Sequence, residues 1–389
     1  MLVKIIVIGY IGLKKTRTFN DYFLGGRTVG PWMSAFTYAA AYFSAVLFIG
    51  FAGKVGWGFG LSYLFKANFG LAYGTALVFM GLFTAFYLVL GGYKSMTMID
   101  VVFGVIMCLG SAVLLASTLQ KAGGLGNLTS GLAAIDPRLT AAVGPAGAWP
   151  LFALVFLTSV APFAMPQLVQ KFYAIKDERA IRRGMIASTA FAALIAGTAY
   201  FTGAAARLFL TPESAPGAFA AGKPVFDVLM PEFLAKVIPP SLSIVMMLLI
   251  LSASMSTLAA LVLISSSSVV KDLYAGFVNP DVPDRTLTRM MRVTSAVFIL
   301  LSVVLAYLRP ATIVAILSVS WGAIGSFFLG PFVWGLISKK VTKFGALASA
   351  ILGLGTCLGL AIAGMAPAEA GTIGMIVSLA VNPLASLFG

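Results

Sequence analysis

The side chains best suited to holding an ion lie in one run. From Ser252 to Ser268 the chain reads SASMSTLAALVLISSSS, with hydroxyls at Ser252, Ser254, Ser256 and Thr257 and again at Ser265–Ser268. Hydroxyls and backbone carbonyls are neutral oxygen donors of the kind that hard cations take. In a helix the same hydroxyls commonly bond back to the carbonyl four residues earlier, so composition leaves both uses open. Proton chemistry has little to work with. The chain has no histidine, which removes imidazole metal sites, Ser-His-Asp triads and histidine relays. Of the twelve acids, only Asp100 stands at the threshold of an apolar run, just after Gly91-Gly92-Tyr93-Lys94. There it is either a carboxylate favoured at a helix N-terminus, worth ~0.3–1 kcal/mol, or a group on an ion path. A membrane enzyme is disfavoured, because general acid–base work needs buried titratable groups that these segments do not show.

Two apolar segments carry signs of a broken helix. Ala39–Gly50 has small residues around Ser44, and Thr158–Pro166 reads TSVAPFAMP, with Pro162 and Pro166 in mid-segment. A proline removes a helix hydrogen bond and frees a carbonyl, which an ion or a polar solute can satisfy; a packing kink is the alternative. Substrate is therefore expected at mid-membrane between the two breaks, with Ser44, Thr158, Phe163 and Trp321 as its side-chain contacts. Ser256 and Thr257 are expected to face the Ala40–Ser44 backbone.

The elements that must position these residues follow from composition. Of 389 residues, 60% are hydrophobic and 10% charged, with mean hydropathy +1.01. Soluble domains sit nearer ~45–50% apolar and ~25% charged, so the composition predicts an all-α polytopic membrane protein with no sheet. Apolar runs predict helices at about 33–53, 69–90, 98–120, 148–170, 184–210, 240–268, 293–308, 311–337, 343–365 and 370–388. Each is close to the ~20 residues that span the hydrocarbon core. Val225–Lys236, in a long outward connection, predicts a short interfacial helix. The formal charge of +14 reads as topology and not as nucleic-acid binding. Lys and Arg concentrate in alternate loops, around Lys14–Arg27, Lys94, Lys171–Arg183, Lys271–Arg292 and Lys339–Lys343, which the positive-inside rule makes cytoplasmic. Cys108 and Cys357 lie in apolar runs and read as small buried hydrophobes.

Counting spans exposes an asymmetry. Residues 148–337 hold five spans, whereas 33–120 hold three and a fragment, Gly56–Lys66. Transporters are often built from inverted repeats of equal helix number, so the chain reads as lacking a segment near Ala67–Asn68.

DYFLGGR (Asp21–Arg27), the span through Phe43-Ser44-Ala45, GGYKSMTMID (Gly91–Asp100), SASMSTLAALVLISSSSVVKDLY (Ser252–Tyr274) and GPFVWGLISKKVTKFGALAS (Gly330–Ser349) together resemble the sodium:solute symporter family. The resemblance implies leucine-transporter-type inverted five-helix repeats within a single transmembrane domain over 1–389. The first repeat would cover about 33–120 and be incomplete near 67–68, the second about 148–337, with extra C-terminal helices at 343–388. It implies a co-transported sodium ion held by carbonyls of Ala40, Phe43 and Ala253 and hydroxyls of Ser256 and Thr257, with Asp100 on the inward sodium path. Tyr42 matches the pantothenate symporters, where proline symporters carry an aspartate. The implied activity is sodium-coupled import of a small organic solute, pantothenate-, proline- or other carboxylate-like, by alternating access. The implied location is a bacterial inner membrane. The competing expectation is a sensor or scaffold that keeps the fold without transport, for which the missing segment is the best support.

Overall fold

A computed structural model describes residues 18–44, 73–220, 229–308 and 313–388, together with positions 7, 8, 10–12, 14, 16, 47, 48, 223 and 224. The expected junction at 67–68 and the fragment 56–66 lie outside the described residues. The helices are α1 (Phe19–Leu24), α2 (Pro31–Tyr42), α3 (Tyr73–Lys121), α4 (Leu125–Ile135), α5 (Ala148–Val160), α6 (Pro166–Tyr173), α7 (Glu178–Phe209), α8 (Leu229–Val237), α9 (Ser243–Ser267), α10 (Asp284–Leu308), α11 (Ile313–Ile337), α12 (Lys343–Ile362) and α13 (Pro367–Ala385). Seven helices among the described residues are long and apolar enough to cross a membrane. Ala148–Ala164 and Pro166–Tyr173, bent by 48° at their break, reach the same length and apolar character only when taken together. One small departure from an all-helical chain is a two-residue antiparallel pair, Phe219–Ala220 with Lys223–Pro224.

Two compact units result. The first comprises Met1–Ser130 and Gln170–Pro310, the second Gly131–Val169 and Ala311–Gly389.

In the first unit α3 is the longest element. The sequence predicts two spans there with a polar link, but the helix runs through Gly91-Gly92-Tyr93-Lys94 and leaves helical geometry only at Gly92 (φ +57°, ψ −148°). The break is stabilised from outside. The Tyr22 hydroxyl donates to Leu88 O (3.0 Å), Thr16 Oγ1 to Gly91 O (3.1 Å) and Arg292 Nη2 to Leu90 O (3.3 Å), serving carbonyls that the interrupted ladder exposes. Elsewhere small residues let helices close on one another: a Cβ at Gly110 would meet Leu249 of α9, and one at Gly81 would meet Val303 of α10. Phe36 of α2 packs edge-on against Phe191 of α7 at 5.8 Å. The helix expected at 225–236 is α8, whose Leu229, Met230, Phe233 and Leu234 are buried against the unit.

In the second unit α11, α12 and α13 cross at small residues, with Gly322 and Gly371 in backbone contact. Polar side chains bridge them: Ser326 Oγ to Gly371 O (3.2 Å), Trp334 Nε1 to Leu379 O (2.7 Å) and Asn382 Nδ2 to Ser349 Oγ (3.0 Å). Thr372 Oγ1 ties α13 to Ala153 O of α5 at 2.8 Å.

Helix α7 begins outside the apolar region with Asp177, whose Oδ1 accepts from Ala180 N at 2.7 Å. That hydrogen bond holds the Asp177 carboxyl below its ordinary value. A depressed carboxyl contributes stability that is present above the unfolded value, about 3.9, and is lost as pH falls through the lower folded one. Asp177→Asn keeps a capping oxygen but cannot titrate. Thermal unfolding of the variant should be less sensitive to acid over that window, and curves parallel to wild type would show that the cap carries none of the acid sensitivity.

Candidate cation site

The first break forms where small residues leave the helix. α2 ends at Tyr42, and Phe43 departs from helical geometry (φ −85°, ψ 76°). In an unbroken helix the Ser44 N–H would serve the Ala40 carbonyl; here it donates to Tyr42 O at 3.1 Å. The Ala40 carbonyl is thereby released from its usual partner, and Ala40 is fully buried. Helix α9 runs past this break. Thr257 Oγ1 donates to Ala41 O at 3.1 Å, and Ala253 lies fully buried one turn earlier on α9.

The hydroxyl run separates into two groups. Ser254, Ser266 and Ser268 bond back to Ile250, Val262 and Ile264, the bland helical use. Ser256 and Thr257 reach other elements. The Thr257 hydroxyl meets the broken backbone as expected, whereas Ser256 Oγ donates to Asp100 Oδ1 at 2.6 Å. The Ser252 hydroxyl is buried and has no hydrogen-bond partner among the described residues.

Asp100 is not at a helix threshold. It lies within α3, beyond the Gly92 break, and is 0% exposed. The expectation of no buried carboxylate therefore fails. Oδ2 accepts from the Thr37 hydroxyl and lies 3.5 Å from Lys171 Nζ, which also donates to Thr37 Oγ1 at 2.8 Å. Lys171, counted in the sequence with the cytoplasmic loop charges, is 1% exposed. It was legible in one respect: on α6 it follows the buried Leu168 by three residues and precedes the buried Ala174 by three, a lysine on the apolar stripe.

The second break forms at the prolines. α5 tightens into a 3₁₀ turn at Ala161–Ala164, Met165 is extended (φ −78°, ψ 117°) as the residue before a proline prefers, and Pro166 opens α6. Of the expected substrate contacts, Ser44 (8% exposed) belongs to the first unit. Thr158, Phe163 and Trp321 belong to the second. Thr158 Oγ1 donates to Leu154 O at 2.9 Å, and Phe163 is well exposed. Among the described residues no three His, Cys, Asp or Glu side chains gather in a group that could hold a metal ion.

A broken apolar helix meeting a hydroxyl-bearing helix, within a chain of long apolar helices, marks a polytopic membrane protein of the leucine-transporter type. The same fold is seen in a Na⁺-coupled sialic acid symporter solved in a substrate-bound outward-open state, with TM-score 0.81, 15% identity and coverage of 100% of this chain and 96% of that one. The chain belongs to the sodium:solute symporter family, whose pattern it matches over residues 58–353. It is 28% identical to the sodium/pantothenate symporter of Haemophilus influenzae over 333 residues, covering 84% of this chain and 64% of that protein. It is 29% identical to the Escherichia coli sodium/pantothenate symporter, over 75% of this chain and 59% of that one. The chain thus spans about 60% of the length of these curated relatives. The match to the high-affinity proline transporter of Bacillus subtilis, 25% identical, runs over 445 residues and covers 92% of this chain and 90% of the relative.

Proposed function

We propose that the protein is a secondary active symporter that couples sodium entry to uptake of a small organic solute across a bacterial inner membrane. The observation that carries this reading is the contact between Thr257 Oγ1 and the Ala41 carbonyl, at the point where α2 stops being a helix. Backbone oxygens left by a helix break inside an apolar bundle need a partner that lipid cannot supply. A sodium ion among carbonyls of Ala40, Phe43 and Ala253 and hydroxyls of Ser256 and Thr257 is such a partner.

Family membership and relatives described as sodium/pantothenate and proline transporters support a small carboxylate-bearing solute. Ser44, Thr158, Phe163 and Trp321 remain our choice for its contacts. Sodium binding would tie α9 to the break at Tyr42–Ser44 and order it for the solute, which is a coupling free energy and is therefore reciprocal. The match to the proline transporter runs over more positions than this chain has residues, which supports an internal segment that this chain lacks.

The test is solute uptake against sodium concentration in proteoliposomes for wild type and Thr257→Ala. A hydrogen bond to a charged group is worth ~1.5–3 kcal/mol, so the variant should need about ten- to a hundredfold more sodium and bind solute correspondingly more weakly at fixed sodium. An unchanged sodium dependence would assign the hydroxyl to helix packing.

A further inference from the structure

The pair Asp100–Lys171 is buried, both side chains being 1% exposed, and a charge pair in the interior of a membrane protein is expensive to keep. Three groups around it meet a single ammonium. Lys171 Nζ lies 3.5 Å from Asp100 Oδ2, donates to Thr37 Oγ1 at 2.8 Å and sits 5.5 Å from the centre of the Tyr93 ring. The two carboxylate oxygens of Asp100 and the hydroxyls of Thr37 and Ser256 form a cluster of oxygen atoms closed off from solvent, all three residues being 0% exposed and Lys171 1%. Carboxylate and hydroxyl oxygens with an aromatic face are what a small hard cation takes as readily as an ammonium does. The cluster also adjoins the sodium reading of the preceding section, because Ser256 donates to Asp100 and the next residue, Thr257, meets the α2 break.

We propose that Lys171 is a tethered cation. Its ammonium neutralises Asp100 in place of a second sodium ion, and so fixes the number of sodium ions the protein carries. The carboxylate requires one counter-charge in the interior; with Lys171 present the side chain supplies it, and with Lys171 gone the same oxygens are left to recruit a monovalent cation from water. Lys171 is then a residue that sets ion stoichiometry. The proposal extends the sodium reading, since it shares Ser256 with it, but its prediction is a difference in ion number and does not require that the first site be correct.

The experiment counts bound radiolabelled sodium at saturation on the purified full chain in lipid nanodiscs. Lys171→Met should bind one more sodium ion per chain than wild type. Lys171→Arg, which keeps the charge, and Lys171→Met/Asp100→Asn, which removes both charges, should bind the wild-type number. Equal counts for Lys171→Met and wild type overturn the proposal and leave the pair structural, with the carboxyl taking a proton instead. A wild-type chain that binds no sodium beside a Lys171→Met chain that binds one would uphold the proposal and end the assignment at Thr257. If Lys171→Met does not fold in sodium-free buffer, sodium chloride and not choline chloride should restore the folded fraction; equal restoration by both salts overturns it.

Discussion

Gly92→Ala is expected to be among the most destabilising single substitutions in the protein. At φ +57° and ψ −148°, Gly92 occupies a region that is nearly closed to residues with a Cβ. The added atom would also meet the Tyr22 carbonyl oxygen at 2.5 Å and the Tyr22 ring at 2.7 Å. Backbone strain of ~1–3 kcal/mol and overpacking of a similar size combine to about 2–6 kcal/mol. Tyr22 cannot retreat cheaply, because its hydroxyl is engaged at Leu88 O and its side chain is fully buried. The control is Gly197→Ala in the interior of α7, where a Cβ meets nothing within 4 Å and helix propensity favours alanine by ~1 kcal/mol. Thermal unfolding in detergent should separate the two variants in opposite directions from wild type. Similar stabilities would mean that α3 relaxes at the break.

Why this break was hidden in the sequence says where reading stops. The spans were legible because each needs a long apolar run, and the hydroxyl run and the small residues near Ser44 were legible as local composition. Pro162 and Pro166 marked the second break because proline acts through the chain's own backbone. Gly92, by contrast, lies in a short polar link, Gly91-Gly92-Tyr93-Lys94, that looks like a loop; what keeps it helical on both sides is Tyr22, Thr16 and Arg292, contributed from elsewhere. Asp100 and Lys171 fail for the same reason. A charge near the end of an apolar run has the composition of a loop charge, and its burial is decided by partners remote in sequence, Ser256 being 156 positions from Asp100. Only the apolar stripe of α6 pointed to Lys171, and a lone lysine on a stripe needs an acid opposite before it can be placed.

The second large effect is expected at that pair. Asp100→Asn preserves the shape of the side chain but leaves the Lys171 ammonium buried with no counter-charge, and breaking a buried pair from one side costs about 3–5 kcal/mol. Part of that loss should return when the second charge is removed, so Asp100→Asn/Lys171→Met is expected to be more stable than the sum of its single substitutions by roughly 0.5–3 kcal/mol. Recovery should be incomplete. An amide offers one acceptor where the carboxylate offers two, and both the Ser256 and Thr37 hydroxyls donate here, so one of them loses its acceptor inside the protein. The cycle is read from thermal unfolding of the four chains in choline buffer, which keeps sodium from standing in for the lysine. Strictly additive losses would show that Asp100 and Lys171 do not meet each other's charge, and that each is stabilised by its hydroxyl neighbours alone.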